Sequence, residues 1–165
     1  RLVDIVEEAF DAGVRLGEMV THGMVSVPIS PAIEFVVVGA PSYFATYSLP
    51  KTPAELAEHK CIGVRLPTYG TLYKWLFRQS GKEIKFQPAG QFICNNVFAT
   101  RDACLAGIGL AYIPRLIAQP HIATGDLVTV LEKFCPTHAG FHIFYPRHHP
   151  TSMLLPLFVQ TVHLK

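Results

Sequence analysis

Short apolar runs, each bounded by glycine, proline or polar residues, recur along the chain and predict buried β-strands. The clearest run covers residues 33–39, in which residues 35–38 are apolar without alternation. Such a run is typical of a strand that is buried on both faces. By the same reasoning, further strands are predicted at residues 14–17, 24–29, 61–66, 72–78, 83–86, 91–94, 109–113, 126–131 and 140–145, the fourth and fifth of them forming a hairpin.

Helical segments lie between these strands. Thr52, Pro53 and Glu55 have the order of a capping box, so we predict a short helix that begins after Thr52. The regular recurrence of helices between strands is typical of a mixed α/β fold. The predicted helices cover residues 2–10, 43–47, 53–59, 97–106, 116–122 and 153–164.

One stretch, residues 91–115, combines a strand, two asparagines, a helix, a Gly-x-Gly exit and a second strand. In open α/β sheets, ligands bind at the carboxyl ends of strands, against the helices that follow. Asn95 and Asn96 stand at such a junction. An asparagine there is first of all a helix N-cap, but one cap needs only one of them, so the other is a candidate ligand contact. The segment Gly107-Ile108-Gly109 follows the helix, and we interpret it as a helix end, with Gly107 or Gly109 in the left-handed conformation, rather than as a dinucleotide loop.

Two arginines also lie near predicted strand ends, Arg15 and Arg65. The planar guanidinium group binds a carboxylate through paired hydrogen bonds, so an arginine in a cleft suits a small acid. Each arginine could equally be a solvated surface charge, and the sequence leaves both alternatives open. If either faces a cleft, the expected ligand is a carboxylate.

Composition narrows the classes of partner. The 14 basic and 12 acidic residues give a net charge of +2 without a clustered basic face, so this chain is not expected to bind nucleic acid itself. With 165 residues, 50% of them hydrophobic, it can form one domain or two small lobes. Mean hydropathy is +0.30, but the apolar runs are far shorter than the roughly 20 residues of a spanning helix, so no membrane partner is expected.

No pattern of reactive residues indicates catalysis or metal binding. Cys61, Cys94, Cys104 and Cys135 form no C-x-x-C pair, which argues against zinc and dithiol sites. Four scattered cysteines fit a reducing cytoplasm, although a Cys94–Cys104 redox pair remains an alternative. Nucleophile, metalloprotease and P-loop motifs are absent from the sequence, and the histidines are scattered. We therefore predict no enzyme activity, no catalytic residue, no metal and no cofactor.

Five stretches, taken in their order and spacing, resemble the effector-binding (substrate-binding) domain of LysR-type transcriptional regulators. They are residues 3–17 (VDIVEEAFDAGVRLG), 40–65 (APSYFATYSLPKTPAELAEHKCIGVR), 103–114 (ACLAGIGLAYIP), 125–131 (GDLVTVL) and 144–158 (FYPRHHPTSMLLPLF).

This resemblance implies an α/β, two-lobe fold like that of type II periplasmic binding proteins, with a hinge and an interlobe cleft. Residues 1–31 and 140–165 are expected to form the first lobe and residues 32–139 the second. The implied function is small-molecule effector sensing in a DNA-binding transcription regulator in the cytoplasm. The alternative is a solute-binding protein of the same two-lobe architecture, for which a secretory leader and disulfides would be expected.

The resemblance also implies particular contacts. A winged helix-turn-helix domain, and the opening strand and helix of the first lobe, are expected upstream of residue 1. DNA would be bound only by that upstream domain. The helix at residues 97–106 resembles one used in antiparallel dimerisation, so a homodimer or tetramer is expected through Val97, Arg101 and Leu105. Together with Arg15 from the strand-end argument, the expected effector contacts are Leu16, Gly17, Arg65, Leu66, Pro67, Thr68, Asn95 and Asn96.

Overall fold

The fold was analysed in a computed structural model that describes residues 11–17, 23–65, 71–89, 92–146 and 154–162. The helix predicted at residues 2–10, and the predicted contacts Leu66, Pro67 and Thr68, lie outside these residues. In chain order the strands are β1 (Gly13–Leu16), β2 (Met24–Pro28), β3 (Ile33–Gly39), β4 (Gly63–Val64), β5 (Trp75–Gln79), β6 (Lys82–Phe86), β7 (Ile93–Cys94), β8 (Ala111–Pro114), β9 (Val128–Val130), β10 (Thr137–His138) and β11 (Phe141–Pro146). The helices are α1 (Pro41–Phe44), α2 (Val97–Leu105), α3 (Arg115–Thr124) and α4 (Leu154–Val162), and 3₁₀ helices occupy Pro53–Glu58 and Glu132–Phe134.

The chain divides into two compact units. The central unit is Glu34–Pro136, and the flanking unit is built from the described parts of Leu2–Ile33 and Thr137–Lys165. Because the flanking unit uses chain on both sides of the central one, the polypeptide passes from one unit to the other twice.

The central unit is organised around β3. This strand pairs antiparallel with β8 on one side and with β9 on the other. Val36, Val37 and Val38 are almost completely buried, as expected for the run without alternation that predicted a strand covered on both faces. Helices α2 and α3 pack against β8, so the core lies between β3, β8 and these helices.

A hairpin formed by β5 and β6 covers another side of the same unit. Its two-residue turn is Ser80-Gly81, with φ of 49° at Ser80 and 75° at Gly81. Positive φ at both central positions is the mark of a type I′ turn, one of the two turn types that match the twist of the strands. Trp75 and Phe77 are buried against Tyr112, with ring centroids 5.6 and 6.0 Å away, which attaches the hairpin to β8.

The flanking unit contains a three-stranded antiparallel sheet in the order β1-β11-β2. Its register sets Arg15 opposite His142 and Ser26 opposite Phe144. Residues that are paired, or two apart, on neighbouring strands share one face of a sheet. Arg15, Ser26, His142 and Phe144 therefore lie on one face, and the fully buried Ile143 belongs to the other face.

A local detail at the start of the Pro53–Glu58 segment differs from the sequence-based expectation. Pro53–Glu58 is a 3₁₀ helix, and the predicted capping box at Thr52 is wrong. The Thr52 hydroxyl donates to the Glu55 carboxylate over 3.1 Å, and that carboxylate accepts from the backbone N–H of Lys51 over 2.9 Å. The Glu55 carboxylate thus accepts the backbone N–H of Lys51, whereas a capping box requires that it accept the N–H of Thr52.

Candidate functional site

The candidate site in the central unit is the carboxyl edge of a short parallel strand pair. Strands β4 and β7 pair in parallel, with Gly63 opposite Ile93 and Val64 opposite Cys94. The ladder continues one step further, because the Arg65 N–H donates to the Cys94 carbonyl over 2.8 Å. Arg65 and Asn95 therefore follow neighbouring strands at the same edge. Sequence reasoning had selected both residues separately, and the structure brings their backbones together.

Asn96 is the N-cap of α2. Its extended backbone, φ −153° and ψ 162°, ends the strand, and its side-chain oxygen accepts the Ala99 N–H over 2.9 Å. The Asn96 carbonyl accepts from the hydroxyl of the fully buried Thr100 over 2.8 Å. Both oxygens of Asn96 thus bind the first turn of the helix. Of the two candidate asparagines, this one has the structural role.

Asn95 is exposed and leaves part of its amide available. Its Oδ1 accepts from Nδ2 of Asn96 over 2.9 Å, and its own Nδ2 makes no hydrogen bond to any other described residue. The exposed Arg65 side chain likewise makes no ion pair within the described part of the chain. This edge consequently presents a guanidinium group and an amide N–H₂, which are donors that suit an anionic or carbonyl oxygen.

The flanking unit contributes a second strand end, that of β1. Gly17 continues the pairing, because its N–H donates to the Gly140 carbonyl over 3.0 Å. Leu16 is buried, so its side chain belongs to the core of this unit. The Arg15 guanidinium lies 4.6 Å from the centroid of the Phe144 ring, a cation–π distance.

His142 was missed by sequence reasoning, which interpreted the histidines as solvated or capping groups. A Cβ placed on Gly17 would lie 2.7 Å from Nε2 of His142, so the imidazole packs directly on this glycine. Ser26 Oγ lies 2.9 Å from Nδ1 of His142 and orients the ring. The signal in the sequence is the alternation of residues 140–145, which gives His142 a definite face, but the strand that it joins cannot be read from that alternation.

The predicted dimer contacts lie on α2. Val97 and Arg101 are half-buried, and Leu105 packs against the core cluster of the unit. Arg101 pairs with Asp102 over 2.8 Å and lies 5.6 Å from the centroid of the Phe98 ring. Phe98 is 57% exposed, the largest apolar side chain on the outer face of α2, and was not selected from the sequence.

Metal-binding and membrane-spanning features were not expected from the sequence. Within the described ranges, no three side chains of His, Cys, Asp or Glu converge as a metal site would need. None of the helices in those ranges is both long and apolar enough to span a bilayer.

Comparison with known proteins identifies the family. A family model for the LysR substrate binding domain matches residues 1–164. A putative transcriptional regulator of Pseudomonas aeruginosa is 40% identical over 159 residues, 96% of this chain and 52% of that protein. The HTH-type transcriptional regulator PgrR of Escherichia coli is 36% identical over 164 residues, 99% of this chain and 55% of that protein.

Solved structures agree with this match. The full-length structure of AphB, a virulence activator of Vibrio cholerae and a member of the LTTR protein family, superposes with a TM-score of 0.74 at 22% identity, over 99% of this chain and 56% of AphB. The chain spans about half the length of the curated relatives it matches. The expectation of a two-lobe, periplasmic-binding-protein-like α/β fold is confirmed. The chain belongs to the LysR substrate-binding domain family.

Proposed function

We propose that this chain is the effector-sensing, regulatory domain of a LysR-type transcription regulator that acts in the cytoplasm. Relatives that match nearly the whole chain are named as transcriptional regulators, which favours this function over a solute-binding protein. DNA would be bound by a helix-turn-helix segment outside these residues, since the net charge of +2 supplies no basic face.

The observation that carries the proposal is the exposed pair of donors at one strand edge, Arg65 and Asn95. The guanidinium group would bind a carboxylate through two parallel hydrogen bonds, and the amide N–H₂ of Asn95 would donate a third. Asn96 keeps the edge in place by capping α2. The proposed effector is therefore a small organic acid. The strand-end residues Leu66, Pro67 and Thr68 belong to the same proposed contact surface.

We propose residues 1–31 with 140–165 as the first lobe and residues 32–139 as the second, as the family fold implies. Arg15, Leu16 and Gly17 would then contribute from the first lobe, Leu16 through its backbone because its side chain is buried. A bound effector changes the balance between two lobe arrangements only by its difference in affinity for them. The DNA-binding segment would respond to the resulting change in the balance between the two arrangements.

Dimer or tetramer formation is proposed through α2, by way of Val97, Arg101 and Leu105. The exposed ring of Phe98 beside Arg101 supports this surface, since aromatic residues and arginine are enriched in the cores of protein interfaces. Because Asn96 caps the same helix, an effector at the strand edge would act on the N-terminus of the helix that contacts the partner.

Calorimetric titration with a panel of small mono- and dicarboxylates tests the effector site. For an acid that binds, Arg65→Ala is expected to lower affinity at least tenfold, since hydrogen bonds to charged groups contribute about 1.5–3 kcal/mol. Arg78→Ala is the matched control, because Arg78 is equally exposed but lies on the β5–β6 hairpin. Equal loss in both variants, or loss in neither, would contradict the site. Conversion of the same acids to product at catalytic rates would contradict the regulator.

A further inference from the structure

A cavity in the central unit lies at the other end of the strand pair that carries Arg65 and Asn95. Its volume is about 820 Å³. Its wall is made of residues just before β4, residues just before β7 and residues just after α2 in the chain. It thus lies at the amino edge of these strands, whereas the donors discussed above follow the carboxyl edge. The lining residues are His59, Lys60, Cys61, Ile62, Ala89, Phe92, Gly107 and Ile108.

The imidazole of His59 is held in one orientation by Tyr43. The Tyr43 hydroxyl oxygen accepts the Lys60 backbone N–H over 3.0 Å and lies 2.9 Å from Nδ1 of His59. Burial raises the pKa of Tyr43 to about 12, so the phenol keeps its proton. We assign that proton to the hydrogen bond with Nδ1, the arrangement in which the Tyr43 oxygen accepts only from Lys60. The neutral imidazole then carries its own proton on Nε2, which is the nitrogen left to donate to a ligand.

Lys60 is fixed by its backbone while its ammonium group stays exposed. Its N–H bonds Tyr43, and its carbonyl accepts the Leu110 N–H over 2.8 Å. Gly109 fits closely here, because a Cβ at that position would lie 2.5 Å from the Lys60 carbonyl oxygen. The ammonium nitrogen lies 5.7 Å from the centroid of the Tyr47 ring. A positive charge is thereby placed beside the cavity on a rigid segment.

Two carboxylates lie near His59, those of Glu55 and Glu58. The carboxylate of Glu55 accepts hydrogen bonds from Thr52 and from the Lys51 N–H. The carbonyls at the end of α2 are also occupied, because Ala106, Gly107 and Ile108 donate to the carbonyls of Asp102, Cys104 and Ala103. The C-terminal end of a helix opposes anions through such carbonyls when they are unpaired. Because three of these carbonyls are paired in this chain, the end of α2 repels an anion less strongly.

The remaining walls are apolar. Ile62 is buried, and Phe92 and Ile108 are 43% and 39% exposed, so they present apolar surface to whatever enters. Small-molecule sites typically occupy about 300–1,000 Å³ and combine apolar walls with a few fixed polar groups. The volume lies within this range, and the lining combines the apolar Ile62, Phe92 and Ile108 with the polar His59 and Lys60.

We propose that this cavity is a second ligand site, for a small organic acid with an apolar ring or chain. The carboxylate would pair with the Lys60 ammonium group and accept from His59, and the apolar part would contact Ile62, Phe92 and Ile108. The site uses none of the residues assigned to the interlobe effector, so it does not depend on the proposed function.

Chemical-shift titration of the ¹⁵N-labelled chain with phenylacetate tests the proposal, with phenethylamine as the matched cation of similar size. Phenylacetate is expected to shift the amides of His59, Lys60, Gly107 and Ile108 saturably, and phenethylamine is not. Lys60→Glu should weaken phenylacetate binding at least tenfold, and Lys60→Arg should retain it. Lys85→Glu is the control, because Lys85 is an exposed lysine on the β5–β6 hairpin.

Because Lys60 is exposed, its substitution should leave the fold intact, and Ile108→Trp provides an independent test by filling the cavity. Asn95→Ala should leave phenylacetate binding here unchanged, which separates this site from the strand edge. Equal binding of the two probes would overturn the proposal, as would equal loss in the Lys60 and Lys85 variants. Shifts of the same amides with protein concentration alone would assign the cavity to a second copy of the chain instead.

Discussion

Nδ2 of Asn96 donates to Oδ1 of Asn95 over 2.9 Å, so two adjacent residues of the same type have different tasks at the start of α2. Asn96 also uses its oxygen to cap the helix, and its side chain is therefore committed to the fold. Asn95 is oriented by its neighbour and keeps its own N–H₂ group for other partners. This division allows folding and ligand binding to be separated by mutation.

Asn96→Ala is expected to lower the free energy of unfolding by about 1 kcal/mol, the usual cost of losing an N-cap. Asn95→Ala should change it far less, because no helix N–H depends on the Asn95 side chain. Urea unfolding followed by circular dichroism measures both. A larger loss of stability in Asn95→Ala than in Asn96→Ala would contradict these roles.

For effector binding, in contrast to stability, Asn95→Ala should have a larger effect than Asn96→Ala. Asn95→Ala is expected to weaken binding of a carboxylate effector at constant stability, since it removes an amide donor from the strand edge. Isothermal titration with an acid that binds the unmodified chain measures this effect. Unchanged affinity in Asn95→Ala would remove this residue from the proposed site.

The contact between Gly17 and His142 gives a prediction for the flanking unit. A Cβ on Gly17 would lie 2.7 Å from Nε2 of His142 and 3.0 Å from Cβ of Ala139. Gly17→Ala is therefore expected to cost about 1–3 kcal/mol, the usual range for overpacking. His142→Ala should recover part of that loss by removing the nearest atoms. A double-mutant cycle in denaturant measures the coupling, and strictly additive effects would show that the two residues do not touch.

The sequence predicted best what depends on local pattern. Residues 33–39 form a strand, as the apolar run without alternation predicted, and the consecutive Val36, Val37 and Val38 are almost completely buried on both of its faces. Gly107 ends α2 with φ of 75°, as predicted for a glycine in a left-handed helix exit. Within the described part of the predicted strand at residues 61–66, the strand proper is Gly63–Val64, and the Arg65 N–H extends its ladder to β7 by one hydrogen bond. Such limits depend on the partner strand rather than on the segment itself.

What the sequence could not supply were contacts between distant segments. Ser26 and His142 are separated by 116 positions, and their hydrogen bond follows from a three-strand register that no local pattern specifies. The cavity beside His59 and Lys60 has the same origin, because its walls come from three separate segments. Asn95 and Asn96 are an intermediate case, since the pattern identified the pair and only the helix start decides which one caps.

The buried cysteines should be poor nucleophiles in the folded chain. Burial raises the pKa of Cys61 and of Cys104 to about 12, and the pKa of Cys135 to about 11. Only the thiolate reacts with disulfide reagents, so these three thiols are expected to react slowly at pH 8 and fully after unfolding. Labelling with a chromogenic disulfide, followed by peptide mass analysis, measures this. Fast labelling of native Cys104 would support the alternative of a Cys94–Cys104 redox pair, which its buried thiol argues against.

Arg115 connects two acidic residues on either side of α3. Its Nε lies 2.8 Å from Glu34, and its other nitrogen Nη2 lies 2.6 Å from Glu132. The hydrogen bond from Arg115 is the main reason that the pKa of Glu132 lies below its ordinary value of 4.5. A carboxylate with a lowered pKa in the folded state stabilises the fold above the unfolded pKa. That contribution is lost as the pH falls through the folded pKa.

Glu132→Gln should therefore be less stable than the unmodified chain at pH 7, and the difference should shrink as the pH falls below 4.5 towards 3. The Glu132 side chain is 51% exposed, so solvent screening limits the difference at pH 7 to about 1 kcal/mol. Glu83→Gln is the control, because Glu83 pairs with Lys85 on the exposed hairpin, and its effect should be smaller. Urea midpoints between pH 3 and 7 measure both variants, and a difference that grows towards acid would refute the role of this ion pair.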